Sequence, residues 1–139
     1  KQHRCMFCGG VIEVGEKYQR NTIVNDGEIY DFICHDECDE VACKLEMYAE
    51  TYYDDGVTAE YFRDRVFEYC DETYHGEFNK LSYHEKVKKI LEDWDKPEIA
   101  IPRIKGKIIE LEWRAKESPF ALQWLEQYRK QLESYQIKL

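Results

Sequence analysis

Apolar and polar positions change their period near residue 35. Before that point, Lys17 to Val24 and Glu28 to Ile33 are rich in β-branched and aromatic residues, which suit extended chain. Asn25-Asp26-Gly27 lies between the two runs and is a hairpin turn signal, because Asp-Gly readily takes positive φ. Beyond residue 35, apolar side chains recur every three or four positions, the helical period. The first stripe is Val41, Ala42, Leu45, Tyr48, Ala49 and Tyr52. It predicts a helix from Asp36 to about Tyr53, ended by Asp54-Asp55-Gly56.

Further helices follow. Thr58 suits a cap, Val57 and Phe62 have the spacing of a hydrophobic staple, and the stripe is Phe62, Val66, Tyr69 and Cys70. Ser82 and Glu85 have the spacing of a capping box, before Val87, Ile90, Leu91 and Trp94. Pro97 is expected to close that helix. Pro102 is expected in the first turn of another, carrying Ile104, Ile108, Leu111 and Trp113. Ser118-Pro119 opens the last, which carries Phe120, Leu122, Leu125, Tyr128, Leu132 and Tyr135. The fold class is α+β, with a small N-terminal segment over residues 1–45 and a helical region over 46–139 packed on it as one compact unit.

Composition adds two constraints. Apolar residues make up 43% of the 139, enough for a core, and 35% are charged, which implies helices with charged outer faces. The net charge of −9 is uneven: residues 45–80 carry ten acids against three bases, while residues 81–139 are net +2. Such a chain is repelled by phosphate unless its bases segregate onto one face. There is no apolar run of roughly 20 residues and no secretory pattern, so the expectation is a cytoplasmic protein without a membrane partner.

The cysteines carry the chemistry. Cys5-Met6-Phe7-Cys8-Gly9-Gly10 reads as a knuckle, whose glycines let backbone amides turn toward thiolates. His35-Asp36-Glu37-Cys38 lies at a helix start, where positions three apart share a face. Four ligands in two close pairs suit one structural zinc ion, held by Cys5, Cys8, His35 and Cys38, rather than disulfides. Cys34 with Cys38 is an all-cysteine alternative. His35 is preferred because Cys34 ends the strand and points opposite to its neighbour. Cys43 and Cys70 fall in helical patterns and read as inert core thiols. Knuckle, hairpin and ligand-bearing helix together describe a treble-clef finger.

Cys5-x-x-Cys8, Ile12 and His35-x-x-Cys38 resemble the zinc finger of poly(ADP-ribose) polymerases and, more loosely, LIM fingers. The fuller string, with Gly15-Glu16-Lys17-Tyr18 and Asp26-Gly27, resembles small, mostly uncharacterised bacterial and phage zinc-finger proteins. The resemblance covers about residues 5–45 and implies a zinc role for Cys5, Cys8, His35 and Cys38. It does not imply binding to DNA breaks, since the polymerase fingers use a basic face and this finger is acidic.

Other chemistry is sparse. His75, Asn79 and His84 superficially echo an HNH nuclease set, but they straddle a helix break rather than a hairpin and its helix. They read as ordinary polar residues. Tyr48, Tyr52, Tyr53, Tyr61, Tyr69 and Tyr74 accompany the most acidic region, in which Glu60, Asp64, Glu68, Asp71 and Glu72 recur at helical spacing. The expectation is a non-catalytic interaction protein whose acidic stripe engages a basic protein surface, as a phage-type inhibitor of a nucleic-acid enzyme would. The alternatives are a nucleic-acid-binding finger using Arg103, Lys105, Lys107, Arg114 and Lys116, and a degenerate HNH-like nuclease.

Overall fold

The computed structural model describes residues 2–25, 27–50 and 57–138. It is α+β, with two small antiparallel hairpins followed by helices. Strands β1 (His3–Arg4) and β2 (Val11–Ile12) bracket the knuckle, with Arg4 paired to Val11. Strands β3 (Tyr18–Asn25) and β4 (Glu28–His35) form the expected hairpin in a register that sets Tyr18 opposite His35. The far end of β4 is exposed and its last two residues are buried, so only the base of the hairpin joins the core.

Helix α1 (Asp36–Lys44) follows β4 directly, and α2 (Met47–Glu50) follows it. The expected single helix from Asp36 is therefore interrupted. Glu46 adopts a left-handed φ of 58°, and the Leu45 and Glu46 amides close the end of α1 on the Val41 and Cys43 carbonyls. That break resets the phase of the stripe: Val41, Ala42 and Leu45 are buried as expected, but Met47 is buried where Tyr48 and Ala49 were expected. Cys43 is exposed, which corrects its reading as a core thiol, whereas Cys70 is buried. Tyr52, Tyr53 and the stop signal at 54–56 lie outside the described residues.

Helix α3 (Ala59–Tyr74) starts as its sequence indicates, with the Thr58 hydroxyl accepting from the Tyr61 amide, and buries Phe62, Val66 and Cys70. In α4 (Tyr83–Asp93), Ser82 Oγ accepts from the Glu85 amide, and Val87 and Ile90 are buried. Helix α5 (Pro97–Ala115) corrects both proline assignments. Pro97 begins a helix rather than closing one, because the chain has already turned at Asp93–Lys96 and Pro97 occupies the first helical position. Pro102 lies inside α5, where it deletes the amide bond to the Glu98 carbonyl. Helix α6 (Ala121–Lys138) begins after Phe120, so Phe120 is off the helix and 78% exposed.

The chain divides into two compact units, Lys1–Glu92 and Asp93–Leu139. Within the first unit, α3 joins the knuckle. Phe62 stacks on Phe7 with ring centroids 4.4 Å apart and planes at 8°, and Phe32 meets Phe7 edge-on at 4.8 Å. In the second unit α5 and α6 pack on each other around Leu111, Ala121 and Leu125. Trp113, expected on that inner face, is exposed, since it lies about 200° around the helix from Leu111.

One buried charge organises the connection between α3 and α4. Lys86 is 3% exposed, and its Nζ donates to the Leu81 and Asn79 carbonyls at 2.8 and 3.1 Å. The same ammonium lies 5.0 Å from the Tyr83 ring centroid and 5.2 Å from that of Phe67. Lys86→Met keeps the aliphatic stem but removes the donor to both carbonyls. We expect a loss of about 1–3 kcal/mol, read from the urea midpoint. An unchanged midpoint would reject this role.

Candidate metal centre

The knuckle folds back on itself through backbone bonds. The Cys5 amide donates to the Gly10 carbonyl at 2.8 Å and the Gly9 amide to the Cys5 carbonyl at 3.0 Å. Gly9 is required there: its φ is +79°, and a Cβ would come within 2.9 Å of Arg63 Nη2. The Met6 amide donates to the Ile33 carbonyl at 2.8 Å, which ties the knuckle to β4. His35 ends β4, and Cys38 sits in the first turn of α1. His35 also occupies the N-cap position of α1, but its side chain makes no cap bond.

These constraints bring Cys5, Cys8, His35 and Cys38 together. Their ligand atoms all lie within 4.8 Å of one another, and all four residues are buried. His35 Nδ1 lies 3.4 Å from Cys8 Sγ and 3.8 Å from Cys38 Sγ. Its Nε2 faces the Val11 carbonyl at 3.1 Å and Glu16 Oε2 at 3.5 Å. The tautomer follows: Nε2 carries the hydrogen and donates outward, and Nδ1 presents its lone pair to the sulfurs. Backbone amides complete the setting. Those of Cys8 and His35 each donate to Cys5 Sγ at 3.4 Å, and that of Gly10 donates to Cys8 Sγ at 3.4 Å.

The electrostatics favour a cation. Hydrogen bonds from the Cys38 and Cys8 thiols hold the Cys5 sulfur well below the usual thiol range, and the bond to Cys5 pushes Cys38 upward. Three sulfurs this close share one negative charge unless a positive ion neutralises the rest. Three sulfurs and one imidazole nitrogen match the ligand preference of zinc, so the donor set fits the ion. Zinc with three thiolates and a neutral imidazole leaves a net charge of −1. Guanidinium groups stand nearby: Arg63 Nε and Arg4 Nη1 donate to the Phe7 and Gly9 carbonyls, each at 2.9 Å.

Cys34 is buried but outside the ligand group, and burial pushes its thiol up to about 12. His84 is a member of this site that the sequence concealed. Its ring stacks on His35 with centroids 3.9 Å apart and planes at 14°, and its Nε2 lies 3.4 Å from Glu37 Oε1. No local spacing links residue 84 to residue 35, so no motif could have announced the contact.

The remaining candidates are dispersed. His75 caps α3 in the left-handed conformation with a φ of 54°, and Asn79 Nδ2 donates to Asp71 Oδ1 at 2.9 Å. With His84 on His35 and Asn79 on Asp71, no hydrogen bond or ring contact joins the three residues that echo an HNH set. Among the described residues no second group of His, Cys, Asp and Glu side chains approaches metal-binding distance. Glu60, Asp64, Glu68, Asp71 and Glu72 are all exposed on α3, away from the buried Phe62, Val66 and Cys70. Tyr61, Tyr69 and Tyr74 are half-buried, and Tyr74 packs edge-on against Phe78 at 4.8 Å. No helix among the described residues is long and apolar enough to cross a membrane.

Fold and site together define a small α+β chain with a buried three-cysteine, one-histidine cluster able to hold a metal ion. No family model, curated protein or solved structure matches it.

Proposed function

We propose that this chain is a zinc-stabilised, non-catalytic interaction protein whose N-terminal part is a treble-clef finger. The observation that carries the reading is that protein side chains supply four buried donors within 4.8 Å of one another. A tetrahedral ion held this way has no position left for substrate or water, the mark of a structural rather than a catalytic zinc. The order of knuckle, hairpin and helix bearing the second ligand pair supports the treble-clef assignment.

The partner is a protein with a basic surface, and the binding face is the α3 stripe of Glu60, Asp64, Glu68, Asp71 and Glu72. These carboxylates repel one another at helical spacing, and a basic groove would relieve that repulsion and speed encounter. The basic residues of α5 are poorer candidates for binding nucleic acid because neighbours already engage most of them. Arg103 lies 3.9 Å over the Trp94 ring centroid, Lys116 sits over Trp113, and Lys107 and Arg114 both pair with Glu110.

The test is to reverse Glu60, Asp64 and Glu68 to lysine after a partner is captured from the native host. Association is expected to slow by about tenfold or more at low salt, with zinc content and helicity unchanged. An unaltered association rate would reduce the stripe to a solvated face. Salt-dependent binding to duplex DNA by the unmodified protein would favour the nucleic-acid reading instead, and magnesium-dependent cleavage would favour the nuclease.

A further inference from the structure

We propose that His84 is a positioning residue for the metal centre, holding the His35 ring in place from α4. The inference rests on the zinc reading above and adds to it a residue outside the four ligands. A ligating imidazole keeps its geometry only if its ring plane is fixed, and two contacts fix that of His35. The Val11 carbonyl anchors its Nε2 edge at 3.1 Å. His84 covers one face, nearly parallel and at 3.9 Å, closer than aromatic pairs usually approach. Rotation of the His35 ring out of its plane would drive its edge into the His84 ring.

The knuckle backbone borders this stack. A Cβ on Gly10 would make ordinary van der Waals contact with Cys8 Sγ at 3.4 Å, His84 Cβ at 3.7 Å and His35 Cε1 at 3.8 Å. Glu37, from the first turn of α1 between His35 and Cys38, faces His84 Nε2 at 3.4 Å. Glu37, His84 and His35 thus form a loop of contacts that leaves the ligand helix, passes through α4 and returns to the ligand. Outer-shell partners of metal-bound histidines govern retention of the ion as well as its geometry.

The test uses the full chain with zinc or cobalt(II) as the probe. Two variants separate the flat ring from its bulk: His84→Leu fills the volume without a planar face, and His84→Phe keeps the face without the polar edge. His84→Leu should release zinc to a chromophoric chelator about 10–100-fold faster than the unmodified protein. Its cobalt absorption bands should shift, with helicity by circular dichroism unchanged. His84→Phe should stay close to the unmodified release rate and spectrum. A His84→Leu variant that releases zinc as slowly as the unmodified protein would overturn the proposal, as would a His84→Phe variant that releases it as fast as His84→Leu. If the unmodified chain takes up neither ion, the zinc reading itself fails, a result distinct from either of these.

Discussion

Cys8→Ser is expected to abolish zinc binding and to unfold the chain well past the knuckle, through α3 and α4. Structural zinc contributes on the order of 10 kcal/mol in small fingers, comparable to the whole stability of a typical domain. The reach of the effect follows from what the knuckle carries. Phe7, between the two cysteines, stacks on Phe62 of α3, and its carbonyl receives Arg63 Nε at 2.9 Å. His35 is stacked by His84 of α4. Losing the ion releases the knuckle and with it the surface on which both helices rest. Elemental analysis should find one zinc per chain in the unmodified protein and none in Cys8→Ser, and circular dichroism should register the helical loss. Cys34→Ser should keep both zinc and fold, since that thiol is buried outside the ligand group. Zinc lost from Cys34→Ser but retained by Cys8→Ser would refute the ligand assignment.

Phe62→Ala should cost about 3–5 kcal/mol, the usual range for removing a large buried ring. Phe62 is fully buried and lies face to face with Phe7, so the truncation leaves a cavity where α3 meets the knuckle. The ligands are untouched, and zinc stoichiometry should remain one per chain in the absence of denaturant. The two measurements together separate packing from ligation: a large fall in the urea midpoint with zinc retained is the expected pair. A destabilisation below about 1 kcal/mol, the ordinary scale of a point substitution, would mean that the Phe7–Phe62 stack does not join α3 to the knuckle.

The three-cysteine, one-histidine cluster was readable in the sequence because each half of it is local. Cys5-x-x-Cys8 and His35-x-x-Cys38 each place two ligands within a single turn, and an Asp-Gly hairpin between them is the short way to bring the halves together. The choice between Cys34 and His35 was also accessible, since neighbours at a strand end face opposite ways. The Thr58 cap of α3, the Ser82 cap of α4 and the buried Phe62, Val66, Val87 and Ile90 rest equally on spacings of three and four residues.

Other features depended on contacts that no local pattern records. No glycine or proline marks the break at Glu46, and the residues after it were assigned to the wrong face because one left-handed residue shifts the helical phase. Pro97 is equally acceptable to sequence rules as a stop or a start, and only the turn at Asp93–Lys96 made it a start. The seating of α3 on the knuckle depends on Phe7, a core residue shared with α3 through its stack on Phe62. His84 read as an ordinary polar side chain because a stack on His35 exists only once α4 is seated. Periodicity and cap chemistry act over a few residues and can be read from the chain. Which helix covers the knuckle, and which side chain stacks on His35, follows from the packing of groups distant in sequence.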